Sequence, residues 1–106
     1  MRQHAEDLSD RVTWKLGLHY DVRQQVRETV LNLKEHMEGK PPKTIVAVAL
    51  SWVVSHTRTI TREEKMAIMH RSFEAVDITK ATLENNSRKI EHLKRHVLPE
   101  ALLLKN

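Results

Sequence analysis

Two histidines near the end of the chain have a spacing that could bind a metal ion. His92 and His96 are four residues apart, so on a helix both imidazoles lie on one face. No glutamate stands between them, as it does in the zinc-protease motif, and two of the three intervening residues are cations that repel a divalent metal. We therefore expect no metal site and no cofactor.

Serine and acidic side chains also lack the arrangement that catalysis needs. No serine stands in the sharp turn of a nucleophile elbow, and no pair of carboxylates is isolated in an apolar segment. The adjacent Glu63 and Glu64 are typical of the start of a helix. We expect no enzymatic activity, no catalytic residue and no small-molecule substrate.

Lysine and arginine residues give a stronger signal, because they can neutralise nucleic-acid phosphates. Residues 58–106 contain ten of them against seven acidic residues, whereas residues 1–57 contain eight against seven. Five of these cations lie along one predicted helix, the fifth: Lys80, Arg88, Lys89, Lys94 and Arg95. A helix of this kind can contact DNA, and the same pattern also fits a solvated face on which Glu84 pairs with Arg88.

Lys40 and Lys43 flank the predicted start of another helix. The free backbone N–H groups of a helix start, together with two ammonium groups, form a natural phosphate site. Two exposed lysines at a proline-initiated helix are the alternative interpretation.

Composition excludes several other classes of protein. The 106 residues correspond to one domain, and the lack of cysteine excludes disulfides, thiolate metal sites and cysteine nucleophiles. The two glycines, Gly17 and Gly39, are too few and too far apart for a glycine-rich phosphate loop. The net charge of +4 permits a polyanionic partner, and no apolar run is long enough for a membrane span.

Apolar periodicity predicts five helices that would position these side chains. The first covers residues 5–16 and ends at Gly17; Asp21 caps the second, which ends at Gly39. Thr61 and Glu64 form a capping box at the start of the fourth helix. One face of that helix carries Met66, Met69 and Phe73. The fifth helix begins at Thr79 or Thr82 and ends before Pro99. Its inward-facing residues are Leu83, Ile90, Leu93 and Val97. A short apolar tail follows at residues 101–104.

The most apolar segment, residues 45–54, follows Pro41 and Pro42. Its β-branched residues are typical of a buried strand. Its length, the alanines at positions 47 and 49 and the proline at its start favour a helix, which we predict. Because this helix is apolar nearly all round, it should be the buried centre of the fold.

The two tryptophans differ in their setting. Trp52 belongs to the apolar central segment, and both tryptophans should be core or interface anchors. Trp14 falls off the apolar stripe of the first helix, so we predict that it faces a partner or a neighbouring repeat.

Four short motifs together resemble the cyclin-like repeats of transcription factor IIB. Residues 39–50 read GKPPKTIVAVAL and resemble the start of the central helix of those repeats. The tripeptide at 16–18 is similar to the Leu-Gly-Leu link between their first two helices. Residues 60–64, ITREE, and 78–83, ITKATL, resemble the starts of their fourth and fifth helices. The motifs keep the family's order over residues 5–97 and fit the second, C-terminal repeat better than the first.

The resemblance implies an all-α, five-helix cyclin-like bundle around a buried central helix, with helices four and five forming a helix-turn-helix. Residues 1–106 would be one repeat of a longer protein, with its core at about 5–97. The implied function is transcription initiation in the nucleus, by docking on promoter DNA and TATA-binding protein to recruit RNA polymerase. The predicted DNA-binding residues are Lys40, Lys43, Lys80, Thr82, Asn85, Asn86, Arg88 and Lys89. The cations would contact phosphate, and an asparagine could bond an adenine edge.

Three positions depart from the family pattern. Asp77 replaces a glycine in the turn between helices four and five, and aspartate tolerates a left-handed turn better than most residues. Glu84 replaces a base-reading arginine, and a carboxylate repels phosphate. Ser87 replaces an aromatic residue. One alternative is therefore a cyclin-like module that binds a protein in an apolar groove without reading DNA, and another is a purely structural helical module.

Overall fold

Seven α-helices and two short 3₁₀ turns make up the computed structural model, which describes residues 4–104. The α-helices are α1 (Ala5–Lys15), α2 (Tyr20–Leu33), α3 (Pro42–His56), α4 (Arg62–Val76), α5 (Lys80–Lys89), α6 (Lys94–Val97) and α7 (Glu100–Leu103). The 3₁₀ turns are Lys34–His36 and Glu91–Leu93. Residues 4–104 contain no strand, so the prediction of an all-α fold is confirmed for them.

Helix α3 lies at the centre of the fold, and the helical prediction for its apolar sequence is confirmed. Ten of its fifteen residues are buried, and α1, α2, α4 and α5 all pack against it. Pro41 is extended and Pro42 occupies the first turn, where its missing N–H group costs no hydrogen bond. Full burial of a side chain such as Leu50 stabilises the fold by about 1.5–3 kcal/mol.

Local signals at the helix ends are mostly as predicted. Gly17 follows α1 with a φ of 70°, in the left-handed region that favours glycine. Thr61 Oγ1 accepts from the Glu64 N–H, and the Glu64 carboxylate accepts from the Thr61 N–H, each at 3.2 Å. This capping box lowers the pKa of Glu64 through its hydrogen bonds to Thr61. The predicted Asp21 cap is wrong, because α2 begins one residue earlier and His19 occupies the cap position.

The prediction of a single long fifth helix is also wrong. Helix α5 ends at Lys89, and Ile90 leaves the helical region with φ −120° and ψ 14°. A 3₁₀ turn and α6 follow, and Val97 and Leu98 are buried in the core. The Asn32 amide donates to the Val97 carbonyl at 3.0 Å. The change of direction at Ile90 therefore returns the chain to the body of the fold.

The apolar tail packs on the fold as the short helix α7. Leu102 and Leu103 are half-buried, and the Arg58 guanidinium donates to the Leu104 carbonyl at 2.8 Å. None of the helices within residues 4–104 combines the length and the apolar character needed to cross a bilayer.

Candidate nucleic-acid interface

A three-residue connection, residues 77–79, joins α4 to α5. Asp77 adopts the left-handed conformation, with φ 60° and ψ 57°. The Ile78 N–H donates to the Phe73 carbonyl at 3.1 Å, which closes the end of α4. The Thr79 hydroxyl accepts from the Thr82 N–H at 3.1 Å and caps α5. The connection is thus fixed at both ends by backbone hydrogen bonds.

The start of α3 lies beside this connection. Lys43 Nζ is 3.9 Å from the Asp77 carboxylate, and both side chains are exposed. Lys40 and Lys43 line one shallow groove with Pro41 and Pro42. The structure therefore places the start of α3 beside the connection that leads into α5.

The predicted residues of α5 are distributed around its exposed surface. Leu83 is buried against the core, and the helical repeat of 3.6 residues then directs Asn85 away from it. Lys80 and Arg88 lie on the flank that faces α4, where they line a groove. The same repeat puts three predicted residues on the opposite flank, namely Thr82, Asn86 and Lys89. Asn86 is half-buried, and the remaining predicted residues of α5 are exposed.

Three of these side chains are already engaged. The Thr82 hydroxyl accepts from the Thr79 hydroxyl at 2.8 Å. The Asn86 amide donates to the Thr82 carbonyl one turn earlier at 2.8 Å, so Asn85 is the amide that is freer to reach a base edge. Lys80 Nζ is 3.9 Å from the Glu84 carboxylate, with the two side chains 75% and 55% exposed. Among residues 4–104, Arg88 and Lys89 form no ion pair.

A groove of about 590 Å³ separates α4 from α5. Its apolar lining is Met66, Met69, Phe73 and Leu83. The two methionines and Phe73 share one face of α4, as predicted, but this face borders an open groove, and Met66 is 67% exposed. The sequence signal for the groove is the spacing of these three residues, which places them on one face of the helix.

A hydrogen bond between the central helix and α5 could not be found from the sequence. Trp52 is a core residue, as predicted, and is only 2% exposed. Its indole Nε1–H donates to Ser87 Oγ at 2.8 Å, and the Lys94 ammonium lies 5.5 Å from its ring centre. Ser87, which replaces the family's aromatic residue, therefore satisfies a buried donor.

No protein-family model, curated protein or solved structure matches this chain. The relationship to transcription factor IIB accordingly stays a prediction from sequence motifs. Within residues 4–104, no cluster of three or more histidine, cysteine, aspartate or glutamate side chains could hold a metal ion.

Proposed function

We propose that this domain is a single cyclin-like repeat that binds duplex DNA through α5 and the start of α3. In this proposal α1–α5 are the five helices of the repeat, and α4, residues 77–79 and α5 act as a helix-turn-helix. The observation that supports it is the position of Lys43 beside Asp77, because it brings the start of α3 next to the connection that leads into α5. Cations on both segments could then follow one DNA backbone.

Each part of the surface has a distinct role in the proposed complex. Helix α5 enters the major groove, where the exposed Asn85 amide can both donate to and accept from adenine. Arg88 and Lys89 contact phosphates on either side of the groove. Lys40 and Lys43 hold a further phosphate at the N-terminus of α3, where the positive end of the helix dipole favours an anion.

Glu84 makes the proposed binding depend mainly on phosphate contacts. Its carboxylate lies on the exposed surface of α5 and pairs with the Lys80 ammonium, which it partly neutralises. A carboxylate cannot donate to guanine O6 or N7, so this position does not read guanine. We therefore expect weak sequence preference and strong salt dependence.

The resemblance to transcription factor IIB supplies the biological setting of the proposal. The domain would dock in the nucleus on promoter DNA that carries TATA-binding protein, and would contribute to the recruitment of RNA polymerase. The short sequence motifs at residues 16–18, 39–50, 60–64 and 78–83 support this setting.

The test is a titration of a fluorescent TATA-containing duplex, with and without TATA-binding protein, over a salt series. Engagement of the three phosphates assigned to Arg88, Lys89 and the pair of Lys40 and Lys43 gives a slope of log affinity against log salt of about −2.7. Arg88→Gln and Lys89→Gln should each reduce this slope by about 0.9. Lys15→Gln, which removes an exposed cation from α1, is the matched control and should leave the slope unchanged. Failure to bind either DNA sample at low salt would refute the proposal.

A second candidate function is the binding of an apolar helix in the groove between α4 and α5, without DNA contact. The 67% exposure of Met66 favours it, because exposed methionines are typical of helix-binding grooves. This function predicts that TATA-binding protein binds without DNA and with little salt dependence. Met66→Gln should then weaken binding, and Lys89→Gln, on the opposite flank of α5, should not.

A further inference from the structure

Three side chains of α1 and α2 form an exposed cluster on a surface that the proposed DNA contact does not use. Trp14 and Tyr20 are 72% and 60% exposed. The Arg23 guanidinium carbon lies 5.0 Å from the Trp14 ring centre and 5.6 Å from that of Tyr20. These distances are typical of cation–π contacts, which hold the guanidinium against both rings. We call these three residues the Trp14 cluster.

Arg23 has no anionic partner among residues 4–104. The neighbouring Arg27 pairs with Asp10, whereas the side chain of Arg23 forms neither an ion pair nor a hydrogen bond within that range. Its Nε atom is buried and without a partner there. Aromatic contacts alone therefore hold the guanidinium, and the charge is available to an external acceptor.

The cluster borders a groove of about 600 Å³. Side chains that contribute charge or an aromatic ring to it are Asp10, Arg11, Trp14, Arg23 and Arg27. Three arginines thus face one aspartate, which Arg27 already engages. Arginine and the tryptophan indole can only donate hydrogen bonds, so the groove is complementary to an acceptor such as a carboxylate.

We propose that the Trp14 cluster is a docking site for an acidic peptide segment of a protein partner. A carboxylate of the peptide pairs with the guanidinium of Arg23, and an adjacent apolar side chain covers the Trp14 ring. Tryptophan, tyrosine and arginine are the residues that most often dominate the energy of protein–protein contacts. A guanidinium already held between two rings loses little rotamer entropy when it binds.

The charges around the cluster favour a peptide over a nucleic acid. Asp10 lies in the groove, so an acidic group stands close to the unpaired arginine. It would repel a continuous phosphate backbone, which needs several cations along its path. A peptide can place one carboxylate at Arg23 and a neutral residue beside Asp10. The proposal does not depend on DNA binding by α5.

The test uses a fluorescein-labelled peptide of Asp and Glu residues interspersed with Leu and Phe, measured by anisotropy. An otherwise identical peptide with Asn and Gln replacing the acids tests the role of charge, and single-stranded oligo-dT tests for nucleic acid. We expect the acidic peptide alone to bind. Its binding should shift the tryptophan emission to shorter wavelength, because the peptide covers the exposed Trp14 ring. The shift can be assigned to Trp14, because Trp52 is already buried.

Variants then assign the binding to the cluster. Arg23→Gln and Trp14→Ser should each weaken the acidic peptide at least about 10-fold. Arg23→Lys should also weaken it, because lysine keeps the charge but loses the planar fork. Arg95→Gln removes an exposed arginine from α6 and should change the affinity less than about twofold. Circular dichroism checks that each variant is folded. If Arg23→Gln does not fold, Trp14→Ser still tests the proposal, because it replaces an exposed side chain.

Three results would overturn the proposal. The first is equal binding of the acidic and the uncharged peptide, and the second is unchanged affinity in folded Trp14→Ser. The third is tighter binding of oligo-dT than of the acidic peptide with the same dependence on Trp14, which would make the cluster a nucleic-acid site.

Discussion

Glu84→Gln tests most directly whether α5 faces DNA. Glu84 is 55% exposed on α5, and its carboxylate lies 3.9 Å from Lys80 Nζ. On a DNA-contacting surface this carboxylate repels phosphate and competes for Lys80. Its replacement by the neutral, similarly shaped glutamine removes the repulsion and releases the lysine. We therefore expect tighter DNA binding, which is the opposite of the usual result of substitution within a binding site.

The size of the gain follows from counterion release. One additional phosphate contact steepens the slope of log affinity against log salt by about 0.9. If the variant and the original protein bind equally at 1 M salt, the gain is about 15-fold at 50 mM and about 4-fold at 200 mM salt. Fluorescence anisotropy with the TATA-containing duplex at four or more salt concentrations resolves this difference.

A matched control separates local contact from overall charge. Glu28→Gln makes the same change of charge at an exposed position of α2, outside the proposed DNA surface. It should leave the slope unchanged and raise the affinity much less than Glu84→Gln. Equal effects of the two substitutions would mean that only net charge matters, and weaker binding of Glu84→Gln would mean that Glu84 supports the interface. Either result refutes the assignment of α5 as the DNA-contacting helix.

Three further predictions concern stability. Asp77→Ala should cost about 1 kcal/mol in urea unfolding and Asp77→Gly much less, because residue 77 has a φ of 60°. Ser87→Ala should cost about 1–3 kcal/mol, because it leaves the buried Trp52 indole N–H without its acceptor. The hydrogen bond from Lys34 lowers the pKa of Glu6 below 4.5, so its stabilisation is present above pH 4.5 and lost as the pH falls through the lowered pKa. Glu6→Gln should therefore cost about 0.5–1 kcal/mol at pH 7 and little in acid, measured by urea unfolding at both pH values.

The helices that carry strong local signals could be predicted from the sequence. Pro42 and the length of the apolar run favour a helix over a strand at the centre of the fold. Thr61 and Glu64 located the start of α4 by a pattern only four residues long. The change of direction at Ile90 could not be predicted, because residues 80–97 keep an apolar repeat across it. It depends on the burial of Val97 against the core, which is a tertiary contact.

Some features of the candidate site could likewise be predicted from the sequence, and others depend on tertiary contacts. Charge and periodicity indicated α5 as an exposed basic helix, and its predicted side chains do lie largely on the surface. The sequence could not indicate that Asn86 bonds the backbone, since either of two adjacent asparagines could have done so. The pairing of Lys43 with Asp77 joins residues 34 positions apart and needs the packing of α3 against α5.

These contacts also determine how α5 is presented. Near its start, Lys43 of α3 reaches the Asp77 connection, and near its end, Trp52 of α3 donates to Ser87. The first contact is exposed and contributes little to stability, whereas the second satisfies a buried group. The orientation of α5 on the core therefore depends mainly on Trp52 and Ser87. Substitution of Ser87 therefore changes how α5 is held as well as what the helix could contact.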